Sequence, residues 1–344
     1  VVNGKADPQK FTFGQKQSLT AWGEIGAAIR AHDYMDGVHN KYGVRTVVLR
    51  VDGQEVFRSE VDRFAYEENR YINSWTYDGY MKSFIAPNNR LRMLNAPGGN
   101  RGLVTIDEER PYRFEYTLSD ALGNTSRVGF TVQGRCMEIP VRKEKHVFNW
   151  EMENVLQMNG FTAMVPCGSL YEDTPYDFEV LGDSADISFT YSFGKRPIPL
   201  HKHGSVFIKL RHLPVKDHSK YYVASISPKG KKRSIGKTLV SDSLVAAYTY
   251  ELGTFTACVD TVPPVLTPVR PETWGKTGRI VLKARDAETG VASYRGTIDG
   301  EYALFGKPNS IKGDLVCVLD PNRMKKGGNH ELVMTVTDAC GNVT

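Results

Sequence analysis

One pattern occurs twice in this chain, about 250 residues apart. The first copy contains Trp22-Gly23, Asp33, Gly37-Val38, Tyr42, Val51-Asp52-Gly53 and Phe57. Its counterparts are Trp274-Gly275, Asp286, Gly290-Val291, Tyr294, Ile298-Asp299-Gly300 and Phe305. Both copies end on the string Asp-Ala-x-Gly-Asn, at 120–124 and 338–342. The repeat predicts one small β module in two copies, and since neither copy contains a catalytic constellation, it indicates a structural or binding role.

Length and composition narrow the class of protein. A chain of 344 residues is too long for one ordinary core, so we expect two or three domains. Hydrophobic residues make up 40% and charged residues 24%, which is typical of soluble globular proteins. No apolar run approaches the ~20 residues that a membrane-spanning helix needs. The chain opens on Val1 rather than Met, and we interpret it as a processed or excised fragment.

The local patterns predict strands. Residues 44–51 are rich in β-branched side chains and are followed by Asp52-Gly53, which indicates a hairpin. Residues 112–118 alternate between apolar and charged side chains, as a half-buried strand requires. No stretch longer than about ten residues keeps a helical period. We therefore predict an all-β chain of three tandem β-sandwich (Ig-like) domains, the first and third being copies of one module.

The domain boundaries follow from the repeat and from proline. The first domain is predicted at 1–134, a β-rich sandwich without self-similarity at 135–260, and the third at 261–344. Pro263-Pro264 stiffens the backbone and removes two amide donors, which suits a domain junction. The chain stops two residues after Asn342, where the first copy continues into a strand. The third sandwich is therefore expected to lack its last strand, unless the native chain continues or a neighbouring chain fills the gap.

The first copy carries an insertion of roughly 35 residues at about 60–98, here called the aromatic insertion. Long loops of this kind are often functional. Two interpretations stay open: the rings pack over a sheet edge or an interdomain seam, or they form a surface for a glycan or a protein partner. The residues predicted for such a surface are Tyr71, Trp75, Tyr77 and Tyr80.

Charged and metal-binding patterns are weak. The basic run Lys229-Gly230-Lys231-Lys232-Arg233 indicates a solvated hairpin tip, with contact to an anionic polymer as the alternative. Nucleic acid is not expected as a partner, because no aromatic residue interleaves with the run. His201 and His203 share one face of a strand and could bind zinc, although a polar strand start explains them too.

The repeated acids have a similar ambiguity. Asp33 and Asp286, each followed by a glycine four residues on, fit a turn in which the carboxylate accepts backbone amides, and calcium is the alternative. Five cysteines without a CxxC pair exclude a zinc-finger motif and leave at least one free thiol, most being expected as buried small hydrophobes. We predict no catalytic residue, no metal ligand and no cofactor in this chain.

Several strings resemble a known family. Residues 31–44 (AHDYMDGVHNKYGV), 70–74, 81–84 and 293–300 are similar to the β region that follows the catalytic domain in secreted lysostaphin-like zinc peptidases of Gram-negative gut-type bacteria. The resemblance covers most of the chain. The family's ordered zinc ligands are absent here, and His201 and His203 stand in the wrong context, so no catalytic residue is carried over.

The resemblance implies the non-catalytic β-sandwich tail of a zinc metalloendopeptidase, with zinc confined to a catalytic domain outside this chain. Its implied partners are that catalytic domain and peptidoglycan or an envelope protein, at a periplasmic, outer-membrane-attached or secreted location. The predicted function is to position or target a peptidase that acts on peptidoglycan peptide crosslinks. Two alternatives remain: the chain is itself a zinc-dependent peptidase, or it is an adhesin-like stalk completed by a strand from another chain.

Overall fold

The computed structural model describes residues 19–138, 146–183, 186–194, 196–309, 313–321 and 328–344. Nearly all of its regular structure is strand, arranged in several separate sheets, and this confirms the predicted all-β, sandwich-like fold class. The predicted start of the first domain, at residues 1–18, lies outside the described residues. In the part of the chain that the structure describes, no helix is long and apolar enough to cross a membrane.

Residues 19–138 form thirteen strands and one short helix. The strands are β1 Leu19–Ala21, β2 Gly23–Ile25, β3 Ala28–Ile29, β4 Asp33–Tyr34, β5 Lys41–Tyr42, β6 Thr46–Val51, β7 Gln54–Glu60, β8 Thr76–Tyr77, β9 Tyr80–Lys82, β10 Leu94–Asn95, β11 Val104–Ile106, β12 Pro111–Ser119 and β13 Thr125–Gly134. A 3₁₀ turn, Tyr66–Tyr71, leads into helix α1, Ile72–Trp75.

The described residues 146–260 form twelve strands. They are β14 Val147–Phe148, β15 Asn154–Met158, β16 Phe161–Val165, β17 Thr174–Pro175, β18 Glu179–Leu181, β19 Thr190–Ser192, β20 Ile198–Lys209, β21 Tyr221–Ile226, β22 Lys232–Gly236, β23 Thr238–Ser241, β24 Leu244–Leu252 and β25 Thr254–Val259. A 3₁₀ turn, His218–Lys220, precedes β21.

The described residues 261–344 contain seven strands, a 3₁₀ turn at Pro271–Thr273 and helix α2 at Trp274–Thr277. The strands are β26 Val265–Pro268, β27 Arg279–Arg285, β28 Val291–Ile298, β29 Glu301–Ala303, β30 Gly306–Asn309, β31 Asp314–Val318 and β32 Leu332–Asp338.

The chain divides into two compact units. Of the described residues, the first comprises 19–138, 146–154, 166–176 and 199–202, and the second comprises 155–165, 177–183, 186–194, 196–198, 203–309, 313–321 and 328–344.

The core of the first unit lies against a six-stranded sheet of order β1-β13-β12-β6-β7-β10. Alternate residues of β6 and β12 face inward, so that Leu49, Phe114 and Tyr116 are almost completely buried. The predicted hairpin is confirmed, because β6 and β7 are joined by Asp52 and Gly53, both at positive φ. Two adjacent residues at positive φ form the two-residue turn whose twist matches a β-hairpin.

The second unit contains most of two five-stranded sheets, of order β15-β16-β20-β24-β23 and β18-β19-β25-β21-β22. Strand β24 contacts β21 and β22 of the other sheet. Ring contacts fill its core, including Phe161 on Tyr191 at 4.6 Å between ring centroids and Phe193 on Phe255 at 6.4 Å.

The third module repeats the strand order of the first. In the sheet β29-β28-β32, the strands β28, β29 and β32 stand where β6, β7 and β12 stand in the first copy. The hairpin turn is again Asp299-Gly300 at positive φ.

The end of the third module pairs with β32 over a short distance. Beyond the turn at 338–342, Val336 and Thr344 exchange two backbone hydrogen bonds of 2.9 and 3.0 Å. Thr337 faces Val343 in an isolated bridge. These two residues occupy the place where β13 begins in the first copy.

Candidate functional site

The aromatic insertion is built as a compact, folded segment. Trp75 is 6% exposed and belongs to the core of the first unit, where its Nε1 donates to Lys82 O at 3.0 Å. Tyr71 is half-buried, with its ring stacked on His201 at 4.0 Å and edge-on to Tyr171 at 6.1 Å. Two members of the predicted ligand surface therefore pack mainly against protein.

The other two members lie on an exposed hairpin. Tyr77 ends β8 and Tyr80 begins β9, and the two residues face each other across the turn Asp78-Gly79. Arg30 braces this turn, because its Nη2 donates to Asp78 O at 2.7 Å and its guanidinium lies 4.9 Å from the Tyr80 ring centroid. The Tyr77 ring is 36% exposed. The structure thus places the exposed Tyr77 and the half-buried Tyr80 on one hairpin, here called the tyrosine hairpin (76–82).

A carboxylate holds the start of the insertion. Glu68 is 9% exposed, and its Oε2 accepts from the Ala65 amide at 2.6 Å while its Oε1 accepts from Arg92 Nε at 2.8 Å. The hydrogen bond from Arg92 and the one from the Ala65 amide lower the pKa of Glu68 to about 2. Sequence reasoning missed this residue, because a single Glu in a polar stretch has no distinctive pattern.

The two histidines considered for zinc have separate aromatic surroundings. His201 packs on Tyr71, and its buried Nδ1 has no hydrogen-bond partner among the residues that the structure describes. Burial, with added repulsion from Lys202 and Arg70, lowers the pKa of His201. His203 stacks with Tyr248 at 5.1 Å and with Tyr250 at 5.8 Å. Neither histidine joins a three-residue group of metal-ligand type within the described ranges.

A second cluster of polar side chains lies inside the second unit, where residues 220–260 contact the third module (261–344). We call this group the polar junction, and its members are Lys220, Tyr222, Asp260, Glu288, Thr289, Asp338, Cys340 and Asn342. Tyr222 Oη donates to Glu288 Oε2 at 2.5 Å, and Thr289 Oγ1 donates to Asp260 Oδ2 at 2.7 Å. Lys220 Nζ donates to the carbonyl of Cys340 at 2.9 Å.

The repeated turn supplies the centre of this junction. Asn342 Nδ2 donates both to Asp260 O at 3.1 Å and to Asp338 Oδ2 at 2.7 Å. Asp260 and Asp338 are 1% and 2% exposed. In the first copy the corresponding turn is exposed, and Asn124 Nδ2 donates to Asp120 Oδ2 within the same turn. The same motif is thus an exposed turn in the first copy and, in the second copy, a buried turn that hydrogen-bonds Asp260.

Two carboxylates of the polar junction, those of Asp260 and Asp338, meet a third, that of Asp286. Asp260, Asp286 and Asp338 have oxygens within 4.8 Å of one another, the one such group of three found among the described residues. Carboxylate oxygens are ligands of hard cations such as Ca²⁺, so these are the residues that could hold one. Each carboxylate also accepts protein donors: Asp286 Oδ1 accepts the amides of Glu288, Thr289 and Gly290.

The contacts of Asp33 and Asp286 test the predicted amide-accepting turn, and the outcome differs between the two copies. The predicted amide-accepting turn is confirmed for Asp286. It is wrong for Asp33, which lies in β4 opposite Tyr42.

The cysteines follow the expected pattern. All five are free thiols; Cys258, Cys317 and Cys340 are buried, whereas Cys136 and Cys167 are exposed. Burial raises the pKa of the Cys258 and Cys317 thiols, which keeps them protonated. The buried three act as small hydrophobes, as predicted.

Comparison with known proteins adds one assignment within the chain. Residues 145–260 match the Zu5-like domain. No curated protein matches the chain. None of these findings, nor the structures described next, is a lysostaphin-like peptidase, so the peptidase resemblance stays a prediction.

Three solved structures align over most of the chain at a TM-score of 0.17. A 1.5-MDa bacterial ice-binding adhesin is 11% identical, with 89% of this chain and 85% of that chain covered. The Bacteroides ovatus mixed-linkage glucan-binding protein SGBP-B is 9% identical, with 98% and 65% covered. A Ca²⁺-stabilised ice-binding adhesin of an Antarctic bacterium is 11% identical, with 94% and 92% covered. These TM-scores are too low to transfer either a fold or a function.

Proposed function

We propose that this chain is a non-catalytic architectural and binding region of a cell-envelope protein. The polar junction is the observation that carries the proposal. Its buried hydrogen bonds link residues 220–260 to the third module, and buried polar groups contribute specificity only where they are satisfied. A hydrogen-bonded contact between consecutive domains restricts their relative motion, which suits a region that positions other parts of a protein. Open linkers would instead allow the domains to move independently.

We further propose which catalytic domain this chain positions. On the resemblance of residues 31–44 and 293–300, the chain is the tail of a zinc peptidase acting on peptidoglycan peptide crosslinks. It lies in the periplasm, at the outer membrane or outside the cell, with its own catalytic domain as one partner. Any zinc belongs to that catalytic domain.

The tyrosine hairpin is the proposed binding surface for peptidoglycan or an envelope protein. Its tip is held by Arg30, so the rings of Tyr77 and Tyr80 are presented at little further cost in conformational entropy. Aromatic side chains combine a large contact area with a polar end, which suits binding at a wet surface. Trp75 supports the hairpin through the hydrogen bond from its Nε1 to Lys82 O.

Co-sedimentation with purified peptidoglycan tests the binding surface. We expect the chain to be retained, and Tyr77→Ala together with Tyr80→Ala to reduce retention several-fold. Tyr66→Ala is the matched control, since Tyr66 is 89% exposed and lies before the hairpin. Absence of retention in the unchanged chain would remove the binding role for this polymer. Equal loss in the control would show that the hairpin is not the surface.

The zinc-peptidase alternative has its own measurement. Elemental analysis of protein prepared in metal-free buffer should give no stoichiometric zinc if the proposal holds. Zinc at one equivalent, lost on His203→Ala, would instead establish a metal site on β20.

The stalk alternative depends on the edge of β32. Residues 343–344 pair with β32, and a longer strand from another chain could continue this ladder. Analytical ultracentrifugation separates the two ideas. Oligomers that persist when the chain is extended by ten to fifteen native residues would favour the stalk, whereas monomers in that extended chain favour the proposed tail.

A further inference from the structure

The hairpin of β21 and β22 concentrates the charge of this protein. Residues 223–241 contain Lys229, Lys231, Lys232, Arg233 and Lys237 and no Asp or Glu. Removing these five from the chain's 44 Lys and Arg leaves 39, which equals its 39 Asp and Glu. The whole formal net charge of +5 therefore lies in one stretch of 19 residues. We call residues 227–233 the basic tip.

The basic tip has a defined shape. The amide of Ser227 donates to Lys231 O at 2.9 Å, the amide of Gly230 donates to Ser227 O at 2.8 Å, and Ser227 Oγ accepts from the Lys231 amide at 3.1 Å. Gly230 has a φ of +77°, which glycine adopts without strain. Three hydrogen bonds thus close the turn and fix where the basic side chains start.

Its cations face water at the border of a sheet. Strand β22 is the last strand of its five-stranded sheet, and Lys229, Lys231, Lys232 and Arg233 are all exposed. None of the four makes an ion pair with an acid in the described ranges. Their positive field is therefore left for an external partner.

We infer that the basic tip binds an anionic glycan, a polysaccharide whose repeating units carry carboxylate or sulfate groups. The closed turn holds these four cations within five residues of one another, so they present a dense positive charge to such a polymer. The inference rests on the proposed binding role and assigns it a second surface, separate from the tyrosine hairpin.

Other polyanions fit the tip less well. Single-stranded nucleic acid is bound through aromatic residues that stack on bases, and no aromatic residue occurs in 223–241. Basic segments at membranes bind more firmly when apolar side chains insert beside them, and residues 227–233 contain no large apolar side chain. Nucleic acid and anionic vesicles are therefore outcomes for the test rather than expected partners.

Affinity electrophoresis in gels containing heparin, a sulfated glycan, or polygalacturonate, a carboxylated one, tests the inference; neutral dextran serves as the blank. We expect retardation in at least one charged gel that weakens as salt rises, because exposed ionic contacts are screened. The variant Lys229→Gln, Lys231→Gln, Arg233→Gln should bind at least about tenfold more weakly, as the sum of three exposed ion pairs. Retention by only one gel identifies which anionic group is recognised.

A matched variant separates location from net charge. Lys41→Gln, Arg127→Gln, Lys276→Gln removes the same charge from exposed residues elsewhere and should bind like the unchanged protein. Equal weakening in both variants, no retardation in either charged gel, or tighter binding to single-stranded DNA or to vesicles of anionic lipid would overturn the inference. Peptidoglycan retention through Tyr77 is measured separately, so failure of one surface does not imply failure of the other.

Discussion

At the scale of single residues, the two copies of the repeated turn show how burial changes the contribution of one side chain to stability. Asn124 and Asn342 occupy the same position of the motif Asp-Ala-x-Gly-Asn. Asn124 is exposed, so water can replace its contacts. Asn342 is 7% exposed and supplies donors to a buried carbonyl and a buried carboxylate.

We expect Asn342→Ala to destabilise the second unit by about 1–3 kcal/mol, because the acceptors on Asp260 and Asp338 lose a donor in a buried place. Asn124→Ala is the matched control and should change stability much less. Differential scanning calorimetry of the two variants measures the difference. Equal effects would contradict the buried role of Asn342.

The aspartates of the two Asp-Gly hairpin turns make equivalent contacts in the two copies. Asp52 accepts from the Arg113 amide at 2.8 Å and from Arg110 Nη1 at 2.7 Å. Asp299 accepts from the Glu331 amide at 2.8 Å and contacts His330 Nδ1 at 2.6 Å. The sequence predicted the Asp-Gly turns, but only the fold shows that each carboxylate also fastens the start of a distant strand.

At the scale of elements, the aromatic insertion depends on Glu68. This carboxylate joins the start of the 3₁₀ turn to Arg92 at the far end of the insertion. Its pKa is lowered from 4.5 to about 2 in the folded state, so its contribution to stability is fully present above about pH 4.5 and is lost as pH falls toward 2.

We therefore expect the insertion to open locally in acid, between about pH 4.5 and pH 2. Hydrogen exchange of amides in 65–92 measures this opening and should show faster exchange than the core strand β12 at the same pH. Glu68→Gln should raise exchange already at pH 7 and flatten the pH dependence. Glu67→Gln, at the neighbouring exposed position, should behave like the unchanged protein; if it also flattens the dependence, the assignment to Glu68 is wrong.

At the scale of the whole molecule, the polar junction predicts that residues 203–344 unfold together. Its cross-junction donors include Lys220 and Tyr222, which reach Cys340 O and Glu288. Tyr222 and its neighbour Tyr221 are both 1% exposed, but the hydrogen bonds of Tyr221 Oη among the described residues are to the backbone of Val215, within the 146–260 stretch. The two tyrosines thus offer a matched pair.

Calorimetry of Lys220→Met with Tyr222→Phe should split one transition into two, because two of the hydrogen bonds that couple the parts are lost, each worth about 1 kcal/mol, while those made by Thr289 and Asn342 to Asp260 stay. Tyr221→Phe should lower the unfolding temperature by a similar amount without splitting the transition. Two transitions in the unchanged protein, each unaffected by the junction substitutions, would show that the junction does not couple the parts.

The sequence by itself determined the all-β class, the repeat and most of the long strands, because period-two patterns and Asp-Gly turns are local signals. It also revealed the basic run at 229–233, since charged residues are read directly from the sequence. Two features were not available from local patterns: that Trp75 enters the core while Tyr77 stays exposed, and that Asp260, Asp286 and Asp338 meet. Both depend on which distant strands pair and pack. Burial of a side chain is a property of its neighbours in space, and only the tertiary structure supplies those neighbours.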